Sequence, residues 1–171
     1  MPLIKDGKLV DDIWAFVPDG HEVSPGGCFT VSLGRFLSEH DQLLARNRSI
    51  GVRLQNTDDP TLLAPHLDRI HLVELDFPKY TDGRAFSQAL MLRRRFGYKG
   101  EIRAIGQVLQ DQLRLMARSG FDAMVVVETD NAKDAFDHSA HPFSEFYQTA
   151  ADTTETIFMK RHKKRQEKAA E

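Results

Sequence analysis

The chain has 171 residues, a formal net charge of −2, 41% hydrophobic residues and 28% charged residues. That length and balance suit one folded domain with its own core, and they exclude a disordered chain or a strongly basic nucleic-acid-binding one. The one cysteine, Cys28, excludes an internal disulfide, and with no Cys/His cluster it argues against structural zinc.

The N-terminus lacks a basic segment followed by an apolar run, and no stretch approaches the roughly 20 apolar residues of a membrane span. A cytoplasmic protein with no membrane partner is the expectation. Residues 1–27 read as a β arm. Leu3-Ile4 and Leu9-Val10 flank Asp6-Gly7, a hairpin signal, and Ile13–Val17 is another extended run. Cys28–Val31 reads as a short strand and Ser32–Arg46 as a helix with an apolar stripe of Leu33, Phe36, Leu37, Leu43 and Leu44. Ile50–Leu54 is a strand. Asp59-Pro60 starts a helix that Pro65 shortens or kinks.

Three further strands, 71–77, 101–105 and 123–127, alternate with helices over 82–96 and 108–118. This β-α-β-α order predicts an α/β fold with a mostly parallel sheet, either an open doubly wound sheet or an incomplete βα barrel. Ligands of such sheets bind beyond the strand carboxyl ends. After Asp130 a helix through 132–137 is expected. A last helix starts near a capping box at Asp152-x-x-Glu155 and ends in the basic run Lys160–Arg165, read as a solvated tail and not a nucleic-acid site. Residues 1–152 thus form one α/β domain, and 153–171 a terminal helix and tail.

Polar residues that break the apolar pattern mark candidate sites. Arg93 falls within the apolar sector of its helix. It is either an anion ligand or is paired with a structural Asp or helix-end carbonyls. Arg103 sits in the middle of a strand that should be apolar, so it belongs to an edge strand or points into a polar pocket. Gln112, next to Asp111, lies in the apolar face of the helix 108–118, orienting a ligand or satisfying buried backbone. Thr81-Asp-Gly-Arg84 opens a helix: Thr81 or Asp82 caps it, or its free N–H groups and Arg84 take an anion. Asp76, Glu128 and Asp130 lie at neighbouring strand ends where magnesium is conceivable, but no spacing supports it and no metal is expected.

The segments Phe77–Ser87, Leu92-Arg93, Gly97-Tyr98, Gly100–Ala104, Gly106, Asp111-Gln112 and Arg118-x-Gly-Phe-Asp122 resemble a bacterial family known as domain of unknown function 934. The likeness runs from Ile50 to about Gln148. Members are described as oxidoreductases or accessory proteins of sulfite reduction, because their genes commonly neighbour that of the sulfite reductase hemoprotein subunit. The resemblance implies a role in sulfur metabolism, with Arg84, Arg93, Arg103 and Arg118 as the marked arginines and sulfite or sulfate as fitting oxyanions.

An oxidoreductase needs a redox group. With one cysteine, no dinucleotide fingerprint and no cluster motif in the chain, no cofactor is expected, and a partner would carry the electrons. Three readings follow. The first is an accessory protein docking on sulfite reductase or its electron donor and holding an oxyanion with Arg84, Arg93 and Arg103. The second is an enzyme on a small anionic substrate, with Asp76 or Asp82 as acid/base group and an arginine clamp. The third is a non-catalytic interaction domain using Phe136, Phe143, Phe146 and Tyr147, with a homodimer as one form. Asp111, Gln112 and Arg118 complete the ligand-binding candidates.

Overall fold

The structure is a computed structural model that describes residues 2–5, 7–24, 26–46, 48–126, 145–152 and 154–169. The expected hairpin forms from β1 (Leu3–Lys5) and β2 (Lys8–Val10), which pair antiparallel around a turn with Gly7 at φ 74°. Next come β3 (Trp14–Phe16), β4 (Cys28–Ser32), α1 (Leu33–Ala45) and β5 (Ile50–Leu54). Ser32 caps α1 by accepting from the Arg35 N–H, and Leu33, Phe36 and Leu43 supply its buried stripe.

A 3₁₀ segment, Pro60–His66, follows β5, with Asp59 capping it through the Thr61 N–H and Pro65 inside it. Then come β6 (Leu72–Phe77), α2 (Arg84–Leu90) and β7 (Glu101–Gly106). A 3₁₀ turn, Gln110–Gln112, leads into α3 (Leu113–Ser119), which ends at Gly120 with φ 103°. Then follow β8 (Ala123–Val125) and the terminal helix α4 (Ile157–Ala169).

Three helices, α2, α3 and α4, depart from the expected outline. Met91–Arg95 continue α2 as a widened π turn, in which the Phe96 N–H reaches the Met91 carbonyl. α3 begins only at Leu113, so Gln112 precedes the helix instead of interrupting its apolar face. At the C-terminus Asp152 does not start α4. Its carboxylate accepts from Arg118 and Thr154, and Thr156 Oγ1 accepts from the Met159 N–H at the true start. The helix expected over 132–137, and Glu128, Asp130, Phe136 and Phe143, lie outside the described residues.

The sheet has eight strands in the order β2-β1-β8-β7-β6-β5-β4-β3. From β3 to β8 every pair is parallel, and β1 joins β8 antiparallel. The parallel strands lie in chain order with no reversal. A doubly wound sheet requires a reversal and helices on both faces, so of the two arrangements it is the incomplete barrel that forms.

Connectivity shows why the sheet must curl. β2 and β3 are the two outer strands, yet only residues 11–13 join Val10 to Trp14. Four residue steps span at most about 14 Å, whereas the outer strands of a flat eight-stranded sheet lie roughly 34 Å apart. Alternation along the curled strands separates two faces. Phe29, Val31, Val52, Leu54, Val73, Leu75, Phe77, Ile102 and Ala104 join the helices in the main core. The concave face carries Thr30, Gly51, Arg53, Leu72, Glu74, Asp76, Glu101, Arg103 and Ala123.

Candidate functional site

The strand carboxyl ends and the loops beyond them form the mouth of the half-barrel. β6 delivers Asp76 to the concave face one residue before its end. Among the described residues no hydrogen-bond donor reaches the Asp76 carboxyl. Partial burial raises its pKa, Arg53 opposes the rise and Glu74 adds to it. Its protonated form is thus favoured more than that of an ordinary surface aspartate.

Asp82 has the opposite surroundings. It accepts from Arg84 Nη2 at 2.6 Å, from the Arg84 N–H at 3.1 Å and from Asn56 Nδ2 at 2.6 Å. These bonds, led by the Arg84 side chain, hold its pKa well below the usual carboxylate range, and the same pair raises that of Arg84. The N-cap position of α2 is Gly83, not Thr81 or Asp82 as expected; Asp82, one residue earlier, takes the Arg84 N–H and is the neutralising partner of Arg84. Of the two acid/base candidates, Asp76 is shifted toward its protonated form and Asp82 away from it.

Two glutamines lace the loop after β6. Gln107 Oε1 accepts from the Tyr80 N–H at 3.4 Å, and Gln112 Nε2 donates to the Tyr80 carbonyl at 2.8 Å. Gln112 Oε1 is buried without a partner among the described residues. Gly106 closes the mouth at φ 91°, where a Cβ would lie 2.5 Å from the Phe77 carbonyl and 2.7 Å from Asp76 Oδ1. Asp111 is exposed beside Gln112.

Below the mouth, register aligns Arg53, Glu74, Arg103 and Ala123 in one row across β5 to β8. Arg53 Nε donates to Glu74 at 2.8 Å and stacks over the Phe16 ring at 3.8 Å. Arg103 is 2% exposed and lies in an interior strand, so it points into a polar interior. Its guanidinium takes Glu101 Oε1 at 2.7 and 2.9 Å and Asp12 Oδ1 at 2.8 Å, with Glu74 at 4.0 Å. Lys5 completes the row by donating to Glu101 Oε2 at 2.6 Å. Burial works against the Arg103 charge, but Glu101 and Asp12 outweigh it and its pKa is raised.

Sequence reading missed Lys5, Asp12, Arg53, Glu74 and Glu101. For Arg53 and Glu74 a signal existed. Each is a polar residue inside an apolar strand, the same break that marked Arg103.

The remaining candidates lie elsewhere. Arg93 sits at the amino-terminal ends of β7 and β8. It donates to the carbonyls of Gly120, Tyr98 and Gly100 at 2.7–2.9 Å and pairs with Asp122. Asp122 in turn accepts from the Ile102 N–H. Arg118 pairs with Asp152 at 3.2 Å, donates to the Gln148 carbonyl and covers the Phe146 ring at 3.7 Å. Arg84, Arg93 and Arg103 thus occupy the mouth, the opposite end and the interior, and they do not converge into one clamp. Among the described residues no three His, Cys, Asp or Glu side chains group as a metal site, and no described helix is long and apolar enough to cross a membrane.

These features define an α/β half-barrel with a neutralised ionic interior and, among the described residues, one carboxyl of raised pKa at its mouth. Residues 51–158 match the family model described as "Bacterial protein of unknown function (DUF934)", and the chain belongs to that family. No curated protein matches the chain.

Proposed function

We propose that the protein is an accessory protein of assimilatory sulfite reduction, docking on sulfite reductase or its electron donor while the partner carries the electrons. The association with sulfite reduction comes from the family resemblance. The observation that favours an accessory role over a catalytic one is the placement of the marked arginines. Arg93, Arg103 and Arg118 are each paired with a carboxylate of the chain itself, at separate places in the fold. Markers used in this way build a rigid scaffold for a partner.

A second reading is favoured by Asp76, whose raised carboxyl at the mouth suits acid/base catalysis on a small anionic metabolite. One experiment separates the two. Deleting the gene should slow growth on sulfate or sulfite as sole sulfur source, and cysteine should restore it. A plasmid copy carrying Asp76→Asn restores growth if the protein acts by docking and fails to if Asp76 is catalytic. Normal growth of the deletion strain on sulfite would sink the proposal.

A further inference from the structure

At the end of the sheet opposite Asp76, the amino-terminal approaches to β5 and β6 form a cleft of about 240 Å³ lined by Leu44, Arg48, Ser49, Arg69 and His71. Three segments build it. Leu44 comes from the last turn of α1, Arg48 and Ser49 lead into β5, and Arg69 and His71 lead into β6. Backbone bonds set the approach to β6, the Arg69 N–H reaching the His66 carbonyl and the His71 N–H the Ile50 carbonyl. Arg69 Nη2 donates to the Leu44 carbonyl at 2.9 Å, which holds the guanidinium at the cleft and leaves its other donors available.

Each polar side chain of the lining, Arg48, Ser49, Arg69 and His71, carries a donor. No carboxylate lines the cleft, and the side chains of Arg48, Ser49 and His71 have no hydrogen-bond or ion-pair partner among the described residues. Asp68 neighbours Arg69 in sequence but neither lines the cleft nor pairs with it. Two other clefts show the contrast. One of about 420 Å³ balances Glu22 and Glu39 with Arg35 and Arg46, and one of about 590 Å³ carries Asp11 and Asp12 with apolar residues. Arg35, Arg53, Arg84, Arg93, Arg103 and Arg118 each pair with a carboxylate of the chain, whereas here two guanidinium groups lie together with a hydroxyl and an imidazole and no carboxylate among the described residues, which points to an anion by charge and donor count. The volume falls below the roughly 300–1,000 Å³ of pockets for drug-sized ligands, which restricts the occupant to a small group.

We propose that this cleft binds a small doubly charged oxyanion of the phosphate, sulfate or sulfite class. Arg48 and Arg69 are its charged donors, with Ser49 Oγ and a His71 ring N–H completing the shell. The site stands on its own geometry and does not depend on the role in sulfite reduction.

The test is calorimetric titration of the full chain with sodium sulfate, sodium sulfite or sodium phosphate, with sodium chloride at matched ionic strength as control. Adenosine monophosphate forms a further arm, separating a free ion from an ester-borne group. Saturable one-to-one binding of at least one oxyanion is expected. Arg48→Ala should weaken it tenfold or more, and Arg84→Ala, at the opposite end of the sheet, should leave it unchanged. Arg48 is exposed and makes no internal bond among the described residues, so its variant should fold. Tighter binding of the nucleotide assigns the site to a terminal phosphate ester and supports the proposal equally. Heat no greater than the chloride control for every ligand would overturn it. So would binding that survives Arg48→Ala or is lost with Arg84→Ala. A growth defect absent from the deletion strain would remove the sulfite role and leave this site untouched.

Discussion

Asp76 and Asp82 flank the same loop, and their surroundings give them opposite acidities. Asp82 is held ionised by Arg84 and Asn56, whereas Asp76 loses hydration on the concave face without gaining a donor among the described residues. The consequence for stability has a definite sign. Folding favours the protonated form of Asp76, so its unfavourable contribution is absent at low pH and develops as pH rises through the raised folded-state value. Asp76→Asn should therefore raise the urea midpoint at pH 7, and the gain should vanish below about pH 4, where the carboxyl is protonated in both states. Equal midpoints at pH 7 would show Asp76 to be solvated like a free carboxylate. Both aspartates were legible as candidates, since each stands at a strand end or helix start. Their difference was not, because it depends on the burial of Asp76 and on Arg53 and Asn56, which arrive from other parts of the chain.

At the scale of elements, local signals placed β1 to β8 and the helices between them well, and they failed at the ends. The break at Arg93 was visible as a charged residue in an apolar sector. The widened turn at Met91–Arg95 that accompanies it was not visible, because a uniform 100° step assumes one helical period throughout. The junction between β7 and the loop beyond it rests on Gly106. At φ 91°, with a would-be Cβ 2.5 Å from the Phe77 carbonyl, no other residue fits without displacing backbone. Gly106→Ala should destabilise the chain by about 2 kcal/mol, read by urea unfolding. It should also disturb the bond from the Gln107 N–H to the Phe77 carbonyl, which supports the loop around Tyr80. A loss below about 0.5 kcal/mol would show that the junction relaxes freely.

The whole molecule is a sheet curled far enough that residues 11–13 can join its two outer strands. Arg103 ties this closure to the interior, bonding Glu101 on its own strand and Asp12 in the connector 91 residues away. Removing one partner of a buried ionic network leaves the others uncompensated. Arg103→Ala should cost about 3–5 kcal/mol, and Arg103→Lys should recover little of it, because an ammonium cannot reproduce the forked contact. A midpoint shift worth under about 1 kcal/mol would mean the row is solvated.

Local chemistry along the chain was enough to specify the hairpin, the alternation of strands and helices, the cap at Asp59 and the parallel sheet. Periodicity, turn residues and capping act within a few residues and leave their trace in the order of amino acids. The curl, the choice of the incomplete barrel, the neutralisation of the marked arginines and the cleft around Arg48 and Arg69 required the folded chain. Each of them depends on which distant strands lie side by side and in what register. A charge has no determined partner until long-range pairing brings a carboxylate beside it, as it does for Arg103, or, among the described residues, leaves it without one, as it does for Arg48.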